Sequence, residues 1–346
     1  MKAFFFVGSL LLALAAHEAA AQLSPAGLEA ALKRRAAAAQ HSTPASALGV
    51  PDQNKAQATA EMVYNTWRLS MIRGSEQPWR SSTSASRQVK IRNMIVSQRG
   101  NFPRDFFSRP QDPPQLENFR FVGALTGCNG RTMAATYVGR LQLGNAPAHE
   151  NAYVLELVLE GGKWKLDQTR FFDLSKLPDV RKKLHARDLS VLKEQDGFHP
   201  YDKIPSIPPA CQPPVLIGKV FVDCPGRSIE MTINGVSQHS FDDERRADVI
   251  SGGLKRGKNT ITYTIRGRDG LDKPSLGIGL FVMPETPGNT PVCVFDHLLD
   301  AQGEAQGGSF TFSIDNEHIA SMNPQFKGAK PAPFHVVPLQ PAPQKK

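Results

Sequence analysis

The sequence predicts an α+β domain followed by an all-β domain, and three observations lead to this fold class. An apolar period of helical type runs through residues 52–98. Two turns, Asn129-Gly130 and Gly161-Gly162, then join segments in which apolar and polar residues alternate. From residue 215 onward, short alternating segments and turns follow one another at the spacing of a β-sandwich. We therefore expect helices packed on a four-stranded antiparallel sheet, and after it a jelly-roll-like sandwich.

Both ends of the chain have compositions that differ from a folded domain. Residues 1–21 combine Lys2, an apolar run and a small-residue cleavage site, as a secretory signal peptide does. Residues 22–51 form an extension and linker rich in Ala, Ser and Pro, and residues 324–346 form a Pro/Lys-rich tail expected to be disordered. No other apolar run approaches the roughly 20 residues of a transmembrane segment. We expect an exported protein, periplasmic or extracellular.

The charge is uneven along the chain, whose net value is +9. Basic residues are in excess in residues 52–174, whereas acidic residues are in excess in residues 215–323. Opposite charge on the two halves indicates either mutual docking or different partners.

Export places the four cysteines in an oxidising compartment, where an even number favours disulfides. Cys224 and Cys293 fall in one domain, so we expect them to pair and Cys128 to pair with Cys211. The competing arrangement joins Cys211 to Cys224 and Cys128 to Cys293.

The helical part begins with a helix from about residue 52 to Gly74, followed by a second helix over residues 84–98. The apolar face of the first helix comprises Ala60, Val63, Tyr64, Trp67 and Met71. Between the two helices we expect a turn that places Trp79 in the core. Phe102, Phe106 and Phe107 predict a third short element.

The Gly161-Gly162 turn fixes the predicted register of the last hairpin. It places Leu159 opposite Trp164 and Leu157 opposite Leu166, so that one face of the ribbon is apolar.

The order of these elements, closing with GGKWKL, resembles the cystatin and nuclear transport factor 2-like superfamily over residues 52–174. Ketosteroid-isomerase-like members of that superfamily have a cavity with an acid or base on the sheet. The hairpin that many members insert among the helices is not evident here, which implies a shallow or absent pocket. After a charged helix and a Pro-rich linker in residues 175–214, IEMTINGVSQ and LKRGKNTITYTI resemble the galactose-binding-like jelly rolls. No binding motif of that family matches, so no ligand residue is carried over.

The predicted register also places Glu156 opposite Asp167 on the other face. Two carboxylates this close would raise one pKa and serve as acid and base. The alternative is a solvated face on which Lys163 and Lys165 neutralise them.

Two further sets of residues are candidates for a ligand site. Aromatic rings that line either a pocket or the core are Trp67, Trp79, Tyr64 and Tyr137. Basic residues that form either an anion-binding strip or a wet helix face are Arg80, Arg87, Lys90, Arg92, Arg99, Arg104 and Arg109.

The acidic residues Asp242, Asp243, Glu244 and Asp248 are of the type that binds calcium, but their spacing does not match the EF-hand pattern. No nucleophile or phosphate-loop motif occurs.

We therefore expect a non-catalytic binding or assembly protein of the bacterial envelope, with no cofactor and no metal. Its partner would be an anionic glycan, an envelope lipid or another envelope protein. The first alternative is a pocket enzyme of isomerase or cyclase type. The second is a carbohydrate-binding protein that acts through the sandwich.

Overall fold

In a computed structural model of the chain, the described residues are 48–108, 111–142, 148–194, 196–267, 276–283, 291–299, 307–315 and 337–338. The predicted signal peptide, nearly all of the extension and most of the tail lie outside them. The chain divides into two compact units, Met1–Lys90 with Pro103–Pro208 and Ile91–Phe102 with Pro209–Lys346. Helices precede antiparallel sheets, so the fold is mixed α+β with mostly β content. None of the helices in the described ranges is long and apolar enough to cross a membrane.

The described helices before the first sheet are α1 (Gln53–Arg73), α2 (Glu76–Ser82), α3 (Ala85–Val96) and α4 (Arg104–Phe107). Asp52 begins α1 by accepting a hydrogen bond from the Lys55 amide, and Gly74 ends it in the left-handed conformation, φ 61°. The predicted first and second helices are thus confirmed. The predicted turn before Trp79 is wrong in its form, because α2 occupies it, although Trp79 is fully buried as expected. Part of α3 belongs to each unit.

The first sheet is an antiparallel meander of β1 (Phe119–Gly127), β2 (Thr132–Leu141), β3 (His149–Glu160) and β4 (Lys163–Asp173), in that order. Both glycines of the β3–β4 turn have positive φ, and Leu159 pairs with Trp164 as predicted. The β1–β2 turn is longer than the two residues expected. Gly127 pairs with Thr132, and Cys128 shares the left-handed conformation of its successors.

Both faces of this sheet are covered. One face packs against α1 through a cluster that includes Tyr64, Tyr153 and Leu155. The opposite face packs against α5 (Pro178–His185) and α6 (Ser190–Glu194), with Val154 and Leu184 among its buried residues. The side chains on both faces of β3 are therefore buried, and a polar residue there needs a partner inside the protein.

The described residues of the second unit form strands in two sheets. The strands are β5 (Gly218–Asp223), β6 (Arg227–Ile233), β7 (Ser237–Asp242), β8 (Arg245–Val249), β9 (Gly257–Gly267), β10 (Leu276–Val282), β11 (Val292–Leu299), β12 (Gly307–Ile314) and β13 (Val337–Pro338). The sheet orders are β11-β10-β5-β8 and β13-β12-β9-β6-β7. One hydrophobic cluster takes side chains from both sheets, among them Val222 of β5 and Ile229 of β6.

Alternation and turns predict seven strands here, at residues 216–223, 228–233, 236–241, 259–266, 276–283, 292–298 and 309–314. They agree within two residues with β5, β6, β7, β9, β10, β11 and β12, whereas β8 and β13 were not predicted. The pair Val337–Pro338 lies within the tail that was expected to be disordered, and it pairs with β12.

The proline-rich segment after residue 208 is held by the C-terminal part of α3. The Asn93 amide donates to the Pro209 carbonyl at 2.8 Å, and its oxygen accepts from the Cys211 amide at 2.9 Å. Arg92 donates to the Cys211 carbonyl, and Arg99 donates to the Pro214 carbonyl. These contacts explain why residues 91–102 group with the second unit, although their helical pattern continues that of the first.

The predicted disulfides are not formed, since all four cysteines are free thiols. Cys293 pairs with Phe281 of β10, which pairs with Lys219 at the beginning of β5, whereas Cys224 follows the last residue of β5. The two cysteines are therefore two strands apart and offset by about 17 Å along the strand, far beyond the roughly 5.5 Å between Cα atoms in a bridge. Cys211 is buried beside Ser97 and Asn93, and Cys128 lies in the β1–β2 turn.

The first prediction concerns the two hydrogen bonds that the Asn93 side chain makes with the backbone of Pro209 and Cys211. Replacing Asn93 by Ala leaves the Pro209 carbonyl and the Cys211 amide without their side-chain partner, which should lower the free energy of unfolding by about 2 kcal/mol. Chemical denaturation followed by circular dichroism measures this loss. Gln98→Ala is the matched control, because the Gln98 side-chain amide donates to the carbonyl of Met94, four residues before it, and not to the segment after residue 208. Equal free energies of unfolding of the two variants would contradict this stabilising role of Asn93.

Candidate functional site

The predicted carboxylate pair on β3 and β4 is altered by a β-bulge. The register shifts between Glu156 and Leu157, so Glu156 pairs with Gln168 and Asp167 becomes the extra residue of β4. The prediction that Glu156 lies opposite Asp167 is therefore wrong. The bulge leaves the outer pairs, including Leu157 with Leu166, as expected.

Asp167 is anchored by two hydroxyl groups from distant parts of the first unit. The Ser84 hydroxyl donates to Oδ1 and the Tyr201 hydroxyl donates to Oδ2 at 2.8 Å. The Ser84 amide also donates to the Leu166 carbonyl at 2.9 Å, so this segment continues the edge of β4. Burial, followed by the nearby Asp167 charge, raises the pKa of Tyr201, which therefore stays protonated and keeps donating.

Glu156 is fully buried and forms an ion pair with Arg170, two positions farther along β4 from its strand partner. Burial is the main cause that lowers the Arg170 pKa. Lys165 pairs with Glu160 at 3.3 Å instead. The prediction that the lysines neutralise Glu156 and Asp167 is therefore wrong. The expected solvated face is wrong, because α5, α6 and the segment that follows cover it.

This polar cluster, defined as Glu156, Asp167, Arg170, Ser84 and Tyr201, is enclosed. Glu156 is 0% exposed and Asp167 is 3% exposed. Each carboxylate faces a cation or hydroxyl groups of the protein itself. The cluster therefore joins the sheet to the residues that cover it, and a substrate has no approach to either carboxylate in this conformation.

The predicted aromatic residues pack as core. Tyr64, Trp79 and Tyr137 are buried, and Trp67 is half-buried with its ring 5.5 Å from that of Tyr64. The Tyr64 hydroxyl donates to the Pro114 carbonyl at 2.8 Å and lies 3.1 Å from the Tyr153 hydroxyl. The core interpretation of these rings agrees with the structure.

Three arginines of the predicted basic strip contact other groups of the protein. Arg80 forms an ion pair with Glu76 at 2.6 Å, and Arg92 and Arg99 bond to carbonyls of the segment after residue 208. Arg87 is half-buried, Lys90 is exposed, and Arg109 lies outside the described residues. The guanidinium groups of Arg92 and Arg99 thus hold backbone carbonyls, whereas Arg80 lies in an exposed ion pair.

A groove of about 560 Å³ lies elsewhere in the first unit, at the beginning of α1. Its walls are Gln53, Asn54 and Gln57 of α1, residues 119–122 of β1, and Arg187 and Leu189 of the loop between α5 and α6. None of these residues was predicted as a site. They come from three distant parts of the chain, so no local motif marks them.

The position of the groove follows from how the edge of β1 is covered. Gly49 exchanges backbone hydrogen bonds with Thr126, and the Gln53 side chain does the same with the backbone of Ala124. Residues 119–122 are the next part of this edge, and they line the groove. The chain's own groups cover one end of the strand edge and leave the other end accessible.

The second unit contains a chain of hydrogen bonds that resembles a catalytic triad. His239 Nε2 is 2.7 Å from Ser237 Oγ, and His239 Nδ1 is 3.4 Å from Asp248 Oδ2. Ser237 is only 1% exposed and its oxygen accepts from the Ser251 amide at 2.7 Å. The serine is therefore inaccessible to a substrate, and the bonds serve to connect β7 with β8, each the last strand of its sheet.

The acidic residues Glu244, between β7 and β8, and Asp248 of β8 take part in the same connection. Arg246 bonds to Asp248 at 3.0 Å and to Glu244 at 2.9 Å, and it also donates to the Ser240 carbonyl. Burial opposes ionisation of Asp248, but the bonds from His239 and Arg246 outweigh it and lower the Asp248 pKa. Among the residues that the structure describes, no three His, Cys, Asp or Glu side chains are grouped as metal ligands.

The second prediction tests the enclosed ion pair. Arg170→Met leaves the Glu156 carboxylate buried without its cation and should lower the free energy of unfolding by about 3 kcal/mol. The double variant Glu156→Gln with Arg170→Met should recover most of that loss. Arg80→Met is the control, because Arg80 and Glu76 are 46% and 40% exposed and such pairs contribute less than about 1 kcal/mol. Equal losses in Arg170→Met and Arg80→Met would refute this role.

The third prediction uses the tyrosines, whose pKa values are all raised by burial. The unfolded chain loses phenolic protons first, near pH 10, so stability is retained below that pH and falls as the pH rises above it. Tyrosinate absorbance should appear only as the circular dichroism of the fold is lost. In denaturant the same residues should titrate near pH 10. Tyrosinate formed while the fold persists would contradict the burial of these rings.

Comparison with known protein families, with curated proteins and with solved structures finds no match to this chain. The resemblances seen in the sequence accordingly remain predictions.

Proposed function

We propose that the chain is a non-catalytic binding or assembly protein of the bacterial envelope, and that the first unit binds its ligand in the groove beside α1. The observation that carries this proposal is the groove itself. Its volume of about 560 Å³ falls within the range of small-molecule sites, and both polar and apolar side chains line it.

The rest of the first unit supports a binding role over catalysis. The acids that were candidates for acid–base chemistry face their own partners, Arg170 for Glu156 and Tyr201 with Ser84 for Asp167. Neither carboxylate lines the groove. An isomerase or cyclase of the resembled superfamily needs an acid or base that reaches the bound molecule, and this alternative is therefore the weaker one.

The export expected from the first 21 residues places this binding role in the envelope. The order of α1 to α4 and the β1–β4 meander is consistent with the resemblance to the cystatin and nuclear transport factor 2-like superfamily. We propose that the first unit belongs to this superfamily, as a member that binds a ligand without catalysing a reaction.

For the second unit we propose a β-sandwich of jelly-roll type. The support is the single apolar cluster that both sheets contribute to. On the other side of the four-stranded sheet, Phe221 pairs with Gly279, and Phe281 pairs with Lys219. Both rings are half-buried, and an added Cβ at Gly279 would meet the Phe281 ring at 2.8 Å. The Arg245 guanidinium lies 5.2 Å from the centre of the Phe221 ring. Partly accessible rings on the sheet face away from the apolar cluster favour sugar binding as the second candidate function.

The fourth prediction tests the groove with two dyes, neutral N-phenylnaphthylamine and anionic anilinonaphthalene sulfonate. At least one should bind with increased fluorescence, and Asn54→Trp should weaken it about tenfold or more by filling the groove from an exposed position. Ala58→Trp is the matched control, because Ala58 is exposed on the same helix but does not line the groove. Binding that is unchanged by Asn54→Trp, or no binding of either dye, would contradict the proposed function.

A further inference from the structure

We infer that the groove recognises an organic anion, a carboxylate or phosphate group attached to an apolar body. This inference rests on the proposed function and adds the chemical class of the ligand. It is carried by the charges and apolar surface that meet in the groove.

The charged residues of the groove wall are all basic. Arg120 of β1 and Arg187 of the α5–α6 loop line it, and none of the acidic residues that the structure describes does. The two acids next in the chain to groove residues face the backbone instead. Asp52 accepts from the Lys55 amide, and Asp188 accepts from the Ser190 amide. The positive charge of the wall is thus that of Arg120 and Arg187, and it attracts an anion.

Arg120 has hydrogen-bonding capacity that the protein does not use. Its Nη2 donates to the Leu184 carbonyl at 3.1 Å. Its Nη1 is buried and has no acceptor among the described residues. A guanidinium donor without an acceptor is unfavourable, and a turn of the Arg120 guanidinium toward an oxygen atom supplied by a ligand would relieve it. Carboxylate and phosphate oxygens match the planar fork of the guanidinium group best.

The remaining walls fit an apolar body beside the charged group. Phe119, Phe121 and Val122 of β1 lie along one side, and Leu189 lies in the loop that carries Arg187. The amide side chains of α1 line the groove at the beginning of that helix, where helix N–H groups also favour negative charge. A ligand that spans both kinds of wall needs an anionic end and an apolar end.

The test is isothermal titration calorimetry of the full chain with octanoate, octyl phosphate, octanol, octylammonium and inorganic phosphate. Octanoate and octyl phosphate should bind at least about tenfold more tightly than octanol and octylammonium, and inorganic phosphate should bind weakly. Arg187→Asn should weaken octanoate binding about tenfold, since one charge-assisted contact is lost. Asparagine suits the positive φ of 57° at this exposed position, so the fold should be retained.

Arg120→Lys is the second variant, because it keeps the charge and removes the fork. Its octanoate affinity should fall while its melting temperature stays close to that of the unchanged chain. Arg104→Gln is the control, since it removes one exposed charge of the first unit outside the groove. It should bind octanoate as the unchanged chain does.

The outcomes separate this inference from the proposed function. If octanol or octylammonium binds as tightly as octanoate and Asn54→Trp weakens all of them, the groove binds ligands but the anionic class is wrong. If inorganic phosphate binds as tightly as octanoate, the inference that the ligand has an apolar body is wrong. If Arg187→Asn and Arg104→Gln change the octanoate affinity equally, the inference that Arg187 contacts the anionic group is wrong. If none of the five probes binds while a dye does, the inference fails and the proposed function stands; if neither the probes nor the dyes bind, both fail.

Discussion

The first unit depends on the fact that both faces of its β1–β4 sheet are covered. An antiparallel sheet with one wet face can carry charged residues there at little cost, whereas a sheet covered on both sides cannot. Glu156 is on the second covered face with no access to water, and its carboxylate is tolerated because Arg170 is beside it. Asp167 is satisfied in the same way by Ser84 and Tyr201. The bulge at Asp167 provides the local geometry in which both carboxylates find partners.

Because both sheet faces are covered, the buried polar groups bond to the protein itself, and only polar groups outside the covered faces are able to bind a ligand. Carboxylates that resemble an acid–base pair in sequence are used to join the sheet to Ser84 and to residues near Tyr201. In the second unit, Ser237, His239 and Asp248 are used to join two edge strands. The accessible polar groups lie at the end of β1 that Gly49 and Gln53 leave uncovered. Binding is thus expected at a strand edge, where the protein has fewer groups of its own to complete the hydrogen bonding.

The elements set by local sequence were predicted well. Asp52 and Gly74 mark the ends of α1, Gly161-Gly162 fixes the β3–β4 turn, and seven strands of the second unit follow from alternation and turns. Features set by distant residues were not predicted. The bulge depends on Ser84 and Tyr201, which are far from Asp167 in sequence, and alternation by itself gives an unbroken register. The cysteine pairing was wrong because sharing a sheet does not bring Cys224 and Cys293 to the same end of it. The groove joins residues 53–57, 119–122 and 187–189, and no spacing rule connects these three segments.

The most direct test of this account is hydrogen–deuterium exchange of the full chain, measured by mass spectrometry with and without anilinonaphthalene sulfonate. We propose that the ligand lies beside α1 and the edge of β1, away from the enclosed cluster. Peptides that cover residues 53–57 and 119–122 should exchange more slowly when the dye is bound, and peptides that cover residues 156–170 should be unchanged. Slower exchange confined to residues 156–170, or to the sheets of the second unit, would contradict the account.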